Sequence, residues 1–362
     1  MRRDPNTRSA GAVALAALVL AGCVEYEDPP ISWEGEIISF GADEPEAVCG
    51  DTLEWMDART LALAETFSAA GAEVVPRVDY YWLTESWWEQ DVCSVETAHA
   101  CAVDNVIHSQ SVPLEHELVH ALRRKKLPRV FEEGLAELYG DLGLVDDPAP
   151  REELLEMLES GDPGENPQYA RASHFVGFLV ESYGLEPLLA IGDHAGLHAS
   201  WTETQAAFEK AYGFPLQDAL SEYESYPECS PLAWTNIDIA CAQDPVPVEL
   251  PQDGSAVTLS QQFVCGEPEI RGPLWGRMFT ETTIELANPL SGWVLVRMFG
   301  DENPDAFIVL SGCGGCENAI WVRLGDGLPE QVRALPTGRY VLRVFRPIDD
   351  SGESAVSLSL SE

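Results

Sequence analysis

Positive charge is scarce in this chain of 362 residues: 21 lysines and arginines stand against 61 aspartates and glutamates, a formal net charge of −40. A surface of that sign repels phosphate backbones, which excludes a nucleic-acid-binding role. It keeps the chain soluble and attracts cations or basic partners mainly at low salt. Long apolar runs are also missing. Gly11–Leu20 covers ten residues, half of the roughly 20 that a membrane-spanning helix needs. No repeat of solenoid length is present. Cys313-Gly-Gly-Cys316 stands alone, without the second C-x-x-C pair that a zinc ribbon requires. What remains is ordinary for a globular protein: 45% hydrophobic and 23% charged residues, in a chain long enough for two domains with real cores.

The first residues read as an export signal. Arg2, Arg3 and Arg8 precede the apolar run, which ends at Leu20-Ala21-Gly22-Cys23. This segment is similar to a bacterial lipobox, which implies cleavage after residue 22, a lipid on Cys23 and anchoring to a bacterial membrane by acyl chains rather than by a span. Removing residues 1–22 takes away three arginines and one aspartate and moves the charge from −40 to −42. Eight cysteines then remain (49, 93, 101, 229, 241, 265, 313 and 316). In an exported protein they imply up to four disulfides of undetermined pairing.

Residues 23–48, rich in Glu, Asp and Pro, read as a tether. Residues 51–70 carry apolar side chains at helical spacing, and Val74–Leu83 and Ala102–Ser109 read as strands. Ser111 with Pro113 marks a helix start, and Arg123-Arg124-Lys125-Lys126 its last turn. Further helices are expected over Phe131–Tyr139, Glu152–Leu158, Tyr169–Tyr183, Trp201–Tyr212 and Leu216–Tyr226. Beyond Pro227 the helical period fades into short β-branched runs, among them Thr283–Leu286, Trp293–Met298, Phe307–Leu310 and Arg339–Phe345. Their spacing predicts an all-β sandwich over 228–362.

The most informative stretch is His116-Glu117-Leu118-Val119-His120, followed by Glu133-Gly134-Leu135-Ala136-Glu137. Side chains at i and i+4 of a helix stack on one face, so His116 and His120 can grip one Zn²⁺, with Glu117 beside the metal to act on its water as general base and acid. Glu133, early in the next helix, is the chosen third ligand, and a fourth position stays open. Glu137, one turn later, can hydrogen-bond a ligand imidazole. Glu132 points to another face and ranks below Glu133.

These residues resemble the gluzincin clan of zinc metallopeptidases, whose third ligand is a Glu in a downstream E-G-[FL]-A helix. The resemblance covers about residues 50–226. It implies an α+β fold: a mainly helical, zincin-like metallopeptidase domain with a small sheet at 49–227, followed by the sandwich. It also implies one catalytic zinc, His116, His120 and Glu133 as ligands, Glu117 as the catalytic carboxylate, and a protein or peptide substrate. The His120-to-Glu133 gap is shorter than in the best-known aminopeptidases of the clan, and their upstream G-x-M-E-N motif is missing, so the expectation is an endopeptidase. The clan also uses a Tyr or His to stabilise the oxyanion, for which His174, Tyr169 and Tyr183 are candidates. The competing expectation is a non-catalytic surface lipoprotein that binds through a degenerate peptidase scaffold and its β-sandwich.

Overall fold

The structure is a computed structural model and describes residues 27–83, 93, 99–140, 149–161, 166–229, 239–288, 293–299, 305–314, 316, 321–324 and 330–360. The export signal 1–22 and the lipidation candidate Cys23 lie outside the described residues. In the first half, β1 (Ile31–Glu34), β2 (Ile38–Ala42), β3 (Val78–Trp82), β4 (Ala100–Val103) and β5 (Val106–Ser109) form a five-stranded sheet of order β1-β2-β3-β5-β4. The strands β2, β3 and β5 run parallel, and β1 and β4 are antiparallel edges. All five residues of β2 are buried, the signature of a strand covered on both faces. In β3, Val78, Tyr80 and Trp82 alternate inward while Asp79 and Tyr81 are half-buried.

This sheet overturns two expectations. The supposed tether of residues 23–48 supplies β1 and β2, and Asp28 meets His108 Nε2 at 2.7 Å. The expected strand at 102–109 is instead the hairpin of β4 and β5, turning at Asp104, whose φ is 54°, and Asn105. Asp and Asn tolerate the left-handed conformation that a tight hairpin turn demands.

The helices are α1 (Thr52–Ala69), α2 (Glu115–Leu122), α3 (Arg129–Gly140), α4 (Glu153–Ser160), α5 (Asn166–Tyr183), α6 (Leu185–Ala190), α7 (Trp201–Tyr212) and α8 (Leu216–Tyr223). Trp55, Met56, Leu63 and Phe67 of α1 join the same buried cluster as the sheet and as Leu118, Val119 and Leu122 of α2. Two glycines allow close approaches. A Cβ on Gly134 would lie 2.6 Å from the carbonyl oxygen of Ala172 in α5, and one on Gly140 would lie 2.3 Å from the backbone nitrogen of His116. Hydrogen at these positions lets α3 nest between α2 and α5.

In the second half, β13 (Glu330–Ala334), β10 (Trp293–Phe299), β15 (Gly352–Leu360) and β7 (Val257–Phe263) form one antiparallel sheet. The other has the order β12 (Trp321–Leu324), β11 (Phe307–Gly312), β14 (Gly338–Pro347), β9 (Arg277–Ala287) and β6 (Val246–Glu249), with β8 (Arg271–Leu274) also on β9. Phe263, Val294, Val296, Val356 and Leu358 from the first sheet share a core with Ile284, Leu286, Ile308, Leu310, Leu342 and Val344 from the second.

The chain is therefore mixed α/β, with strands in both halves and three sheets among the described residues; the mainly helical zincin-type first domain expected from the sequence is not what it forms. Nor is the division near residue 228 a clean one. Leu274, Phe279, Phe307 and Phe345 belong to the first half's core cluster, Cys49–Cys265 ties the halves covalently, and Cys229–Cys316 fastens the chain just past the division to the sandwich. Cys93–Cys101 and Cys241–Cys313 complete four disulfides, so Cys313 and Cys316 serve two separate bridges. Four disulfides fit an extracellular or periplasmic protein. Among the described residues no helix is long and apolar enough to cross a membrane.

A buried ionic network also crosses between the halves. Arg59 of α1 binds Glu115 at the start of α2 and reaches Glu281 of β9 at 3.2 Å, while Arg343 of β14 holds Glu281 at 2.7 Å. Burial pushes the Glu281 carboxyl up, but Arg59 and Arg343 outweigh it and hold it at about 2. Burial raises Glu115, only partly offset by Arg59. The signs are opposite. Stability from Glu281 is complete above its unfolded value near 4.5 and is lost as pH falls toward about 2, whereas Glu115 favours the fold more as it takes up its proton. Glu281→Gln is expected to destabilise the protein by about 3–5 kcal/mol at neutral pH, because two buried guanidinium groups lose their counter-charge. The difference in urea stability between wild type and variant should shrink as pH is lowered from 5 to about 2; a constant difference would remove Glu281 as a buried anion.

Candidate metal centre

The centre is built on two short helices that the core fixes from behind. After β5 the chain runs through Ser111, whose carbonyl accepts the Tyr80 hydroxyl, and Val112, whose N–H donates to Pro273 O at 3.0 Å. Helix α2 then starts at Glu115, with Leu114 as its cap residue and no side-chain cap. Ser111 is thus no N-cap; its hydroxyl accepts the Trp275 N–H at 3.2 Å. The basic run 123–126 lies past the last helical residue, Leu122. Leu118, Val119, Ala121 and Leu122 are buried, which leaves His116, Glu117 and His120 on the half-exposed side. In α3, Phe131, Leu135 and Ala136 face the core and Glu133 faces α2.

His116 Nε2, His120 Nε2 and Glu133 Oε2 converge: the separations are 3.2 Å between the imidazoles, 3.2 Å from His120 to Glu133 and 3.3 Å from His116 to Glu133. A tetrahedral metal about 2.0–2.1 Å from each donor sets those donors about 3.3–3.4 Å apart. The three atoms therefore already stand close to three corners of a zinc-sized tetrahedron. Two neutral imidazole nitrogens and one carboxylate oxygen also suit zinc by donor type.

Behind the donors, each imidazole is held by its other nitrogen. Glu137 Oε2 lies 3.0 Å from His116 Nδ1, and Glu132 Oε1 lies 3.0 Å from His120 Nδ1. Such a partner fixes ring orientation and directs the Nε2 lone pair outward. Glu132 is not a donor, in keeping with its rank below Glu133, but it has a role behind His120 that the sequence reading did not assign. It faces away from Glu133 but toward His120, and its second oxygen accepts from Arg123 and, at 2.9 Å, from Leu127 N–H. Burial raises the Glu132 carboxyl, yet Arg123 and His120 hold it at about 2. Its signal in the sequence was a carboxylate inside an otherwise apolar helix face, six residues after the end of a run of cations that needed a counter-charge.

The carboxylates around the donors also set their electrostatics. Burial lowers both imidazoles, but Glu133 and Glu137 raise His116 well above its usual value, and Glu132 and Glu133 raise His120. Burial raises Glu133, and the two imidazoles pull it far below the usual carboxylate range. Glu117 is half-buried and, among the described residues, makes no hydrogen bond or ion pair.

Of the oxyanion candidates, only Tyr169 stands at the centre, its ring 6.2 Å from that of His116. His174 does not. It is fully buried, with Nδ1 2.6 Å from the Tyr223 hydroxyl and Nε2 3.1 Å from Pro227 O. Burial, then Arg171, holds it at about 4, so it is a neutral core histidine. The Tyr183 hydroxyl is taken by Glu222. A second cluster, His174 with Cys229 and Cys316, has metal-like spacing, but its two sulfurs are bonded to each other and offer no thiolate.

No protein-family model matches this chain, and no curated protein matches it. Among solved structures, PliG of Aeromonas hydrophila, a periplasmic lysozyme inhibitor of g-type lysozyme, is 20% identical over 32% of this chain and 96% of its own, with a TM-score of 0.22. The pre-peptidase C-terminal domain of collagenase from Bacillus anthracis is 13% identical over 33% of this chain and 96% of its own, with a TM-score of 0.21. Hydroxypropylphosphonic acid epoxidase from S. wedmorenis is 14% identical over 52% of this chain and 97% of its own, with a TM-score of 0.13. Likenesses of this strength assign neither a fold nor an activity to the chain.

Proposed function

We propose that this chain is an exported, zinc-dependent metallopeptidase of gluzincin type, lipid-anchored through Cys23, that hydrolyses internal peptide bonds. The observation that carries the reading is the convergence of His116 Nε2, His120 Nε2 and Glu133 Oε2 at 3.2–3.3 Å, with a carboxylate behind each imidazole. When bound there, zinc lowers the pKa of a water to about 7 and polarises a carbonyl. The chain's own groups supply the rest. Glu117, free of other partners among the described residues, accepts the proton of the attacking water and returns it to the departing amine. Tyr169 offers a hydroxyl to the developing negative charge on the substrate carbonyl.

Substrate seating follows from the sheet. Strand β4 is an edge that packs against α2, and among the described residues no strand pairs with its outer side. Its sequence, Ala-Cys-Ala-Val, carries no charge to repel an added strand. An extended peptide can pair with such an edge through its backbone, largely independent of side chains.

The test uses purified residues 24–362. Reconstitution is expected to give one zinc per chain by elemental analysis, with casein cleavage that a chelator abolishes. Absence of zinc, or cleavage indifferent to chelator, would contradict the reading; no zinc at all would favour the binding scaffold. Because the neighbouring carboxylates raise the proton affinity of both imidazoles and a metal binds only their neutral form, zinc competes with protons at these nitrogens. Calorimetry in buffers of different ionisation enthalpy is expected to show proton release, with affinity falling as pH drops below the raised histidine values. Binding without proton release would contradict the assigned ligands.

A further inference from the structure

Two exposed aromatic side chains from opposite halves of the chain meet at one end of β4. Trp275 forms the tip of the β8–β9 hairpin. It is 40% exposed and has a φ of 51°, a left-handed conformation rare for a bulky residue. Gly276 follows with φ 71°. The tip is held in place: the Trp275 N–H donates to Ser111 Oγ at 3.2 Å, its carbonyl accepts from Arg277 Nη1 at 3.4 Å, and its ring meets His99 edge-on at 5.7 Å. Asn or Gly would satisfy this turn with less strain. An indole held there in solvent asks for a reason outside folding.

Its position supplies one. His99 directly precedes β4, the uncharged edge strand, and Val103 at the other end of β4 is 64% exposed. Ser111 is five positions before His116, so the tip is tied to a point within about 18 Å of that residue along an extended chain. That distance is about five or six residues of a peptide lying along β4. Resting on the peptidase reading above, we infer that Trp275 and His99 form a subsite for a bulky apolar or aromatic side chain of the substrate, several residues from the bond cut. The second half of the chain then sets specificity for a centre that the first half builds.

The experiment uses residues 24–362 with zinc and a set of peptides that differ only in carrying Phe or Ser at successive positions flanking the cleaved bond. Wild type is expected to favour Phe by about five- to tenfold in kcat/KM at one outlying position, the size of an aromatic pair. Trp275→Asn, which keeps the left-handed turn accessible, should bring that ratio close to one, and Trp275→Phe should restore most of it. Trp293→Ala, which removes another exposed tryptophan, should leave the ratio as in wild type. Absence of any preference in wild type, or its persistence in Trp275→Asn, overturns the subsite. The same peptides are titrated by fluorescence anisotropy against zinc-free protein. A binding preference that vanishes in Trp275→Asn upholds the subsite even where no peptide is cut, in which case the peptidase reading alone fails. Equal binding of both peptides by wild type overturns the subsite. So does a dimer, seen by sedimentation, that Trp275→Asn dissolves while peptide preference is absent, since the tip would then seat a second copy.

Discussion

Glu117→Gln is expected to bind zinc as wild type does and to lose about 10²–10⁴ in kcat/KM, the usual worth of a general acid and base. The two properties separate because Glu117 touches neither ligand set. Helix α2 is anchored by Leu118, Val119, Ala121 and Leu122, and the imidazoles are oriented by Glu132 and Glu137. Glutamine keeps the shape of the side chain and loses only its capacity to take a proton. The check is elemental zinc on the same preparation used for kinetics. A variant with full zinc and undiminished turnover would remove Glu117 from the chemistry. A variant without zinc would mean that the carboxylate serves the metal rather than the substrate.

Glu133→Ala should have the largest effect on metal retention, because it deletes one of three protein donors and leaves two imidazoles 3.2 Å apart with nothing between them. Zinc is expected to be lost on gel filtration, and chelator competition should show the steepest fall in affinity among the site variants. Glu132→Gln and Glu137→Gln make a graded comparison. Each weakens the hold on one imidazole and should lower zinc affinity about 10–100-fold without abolishing binding. Glu132→Gln carries an extra penalty in stability, since Arg123 is 2% exposed and loses its counter-charge. Equal zinc affinity for Glu133→Ala and wild type would rule out the third ligand.

The parts of this site that were legible in the sequence are those set by a single helix. His116 with His120, and Glu133 with Glu137, are i,i+4 pairs, and helix geometry alone aligns each pair. The crossing of α2 and α3 was not legible, so Glu132 was assigned to a face that seemed idle but in fact meets His120. His174 lies on an apolar helix face, where the sequence offered a core histidine beside the oxyanion role; its neighbours Tyr223 and Pro227, 49 and 53 positions away, decide for the core. Helices α1 and α7 follow their apolar periods because each buries one face, whereas α3 and α5 are buried nearly all round and stand out by their apolar content. Strands β1 and β2 are too short for a period to stand out, and β2 gains its order from parallel pairing with β3, Ile38 opposite Val78. An acidic, proline-containing stretch then looks like a linker although its Ile and Phe side chains are core. The union of the two halves rests on contacts such as Arg59–Glu281, 222 positions apart, for which local sequence carries no sign.

On the proposed function, a zinc ion sits among nitrogen and oxygen donors on α2 and α3. Zinc-edge X-ray absorption on reconstituted residues 24–362 tests it directly. The expected spectrum is a shell of nitrogen and oxygen alone at about 2.0–2.2 Å with the outer-shell scattering of two imidazoles, and that signal is expected to be lost in Glu133→Ala. A sulfur shell at about 2.3 Å would place the metal at the cysteines instead and contradict it.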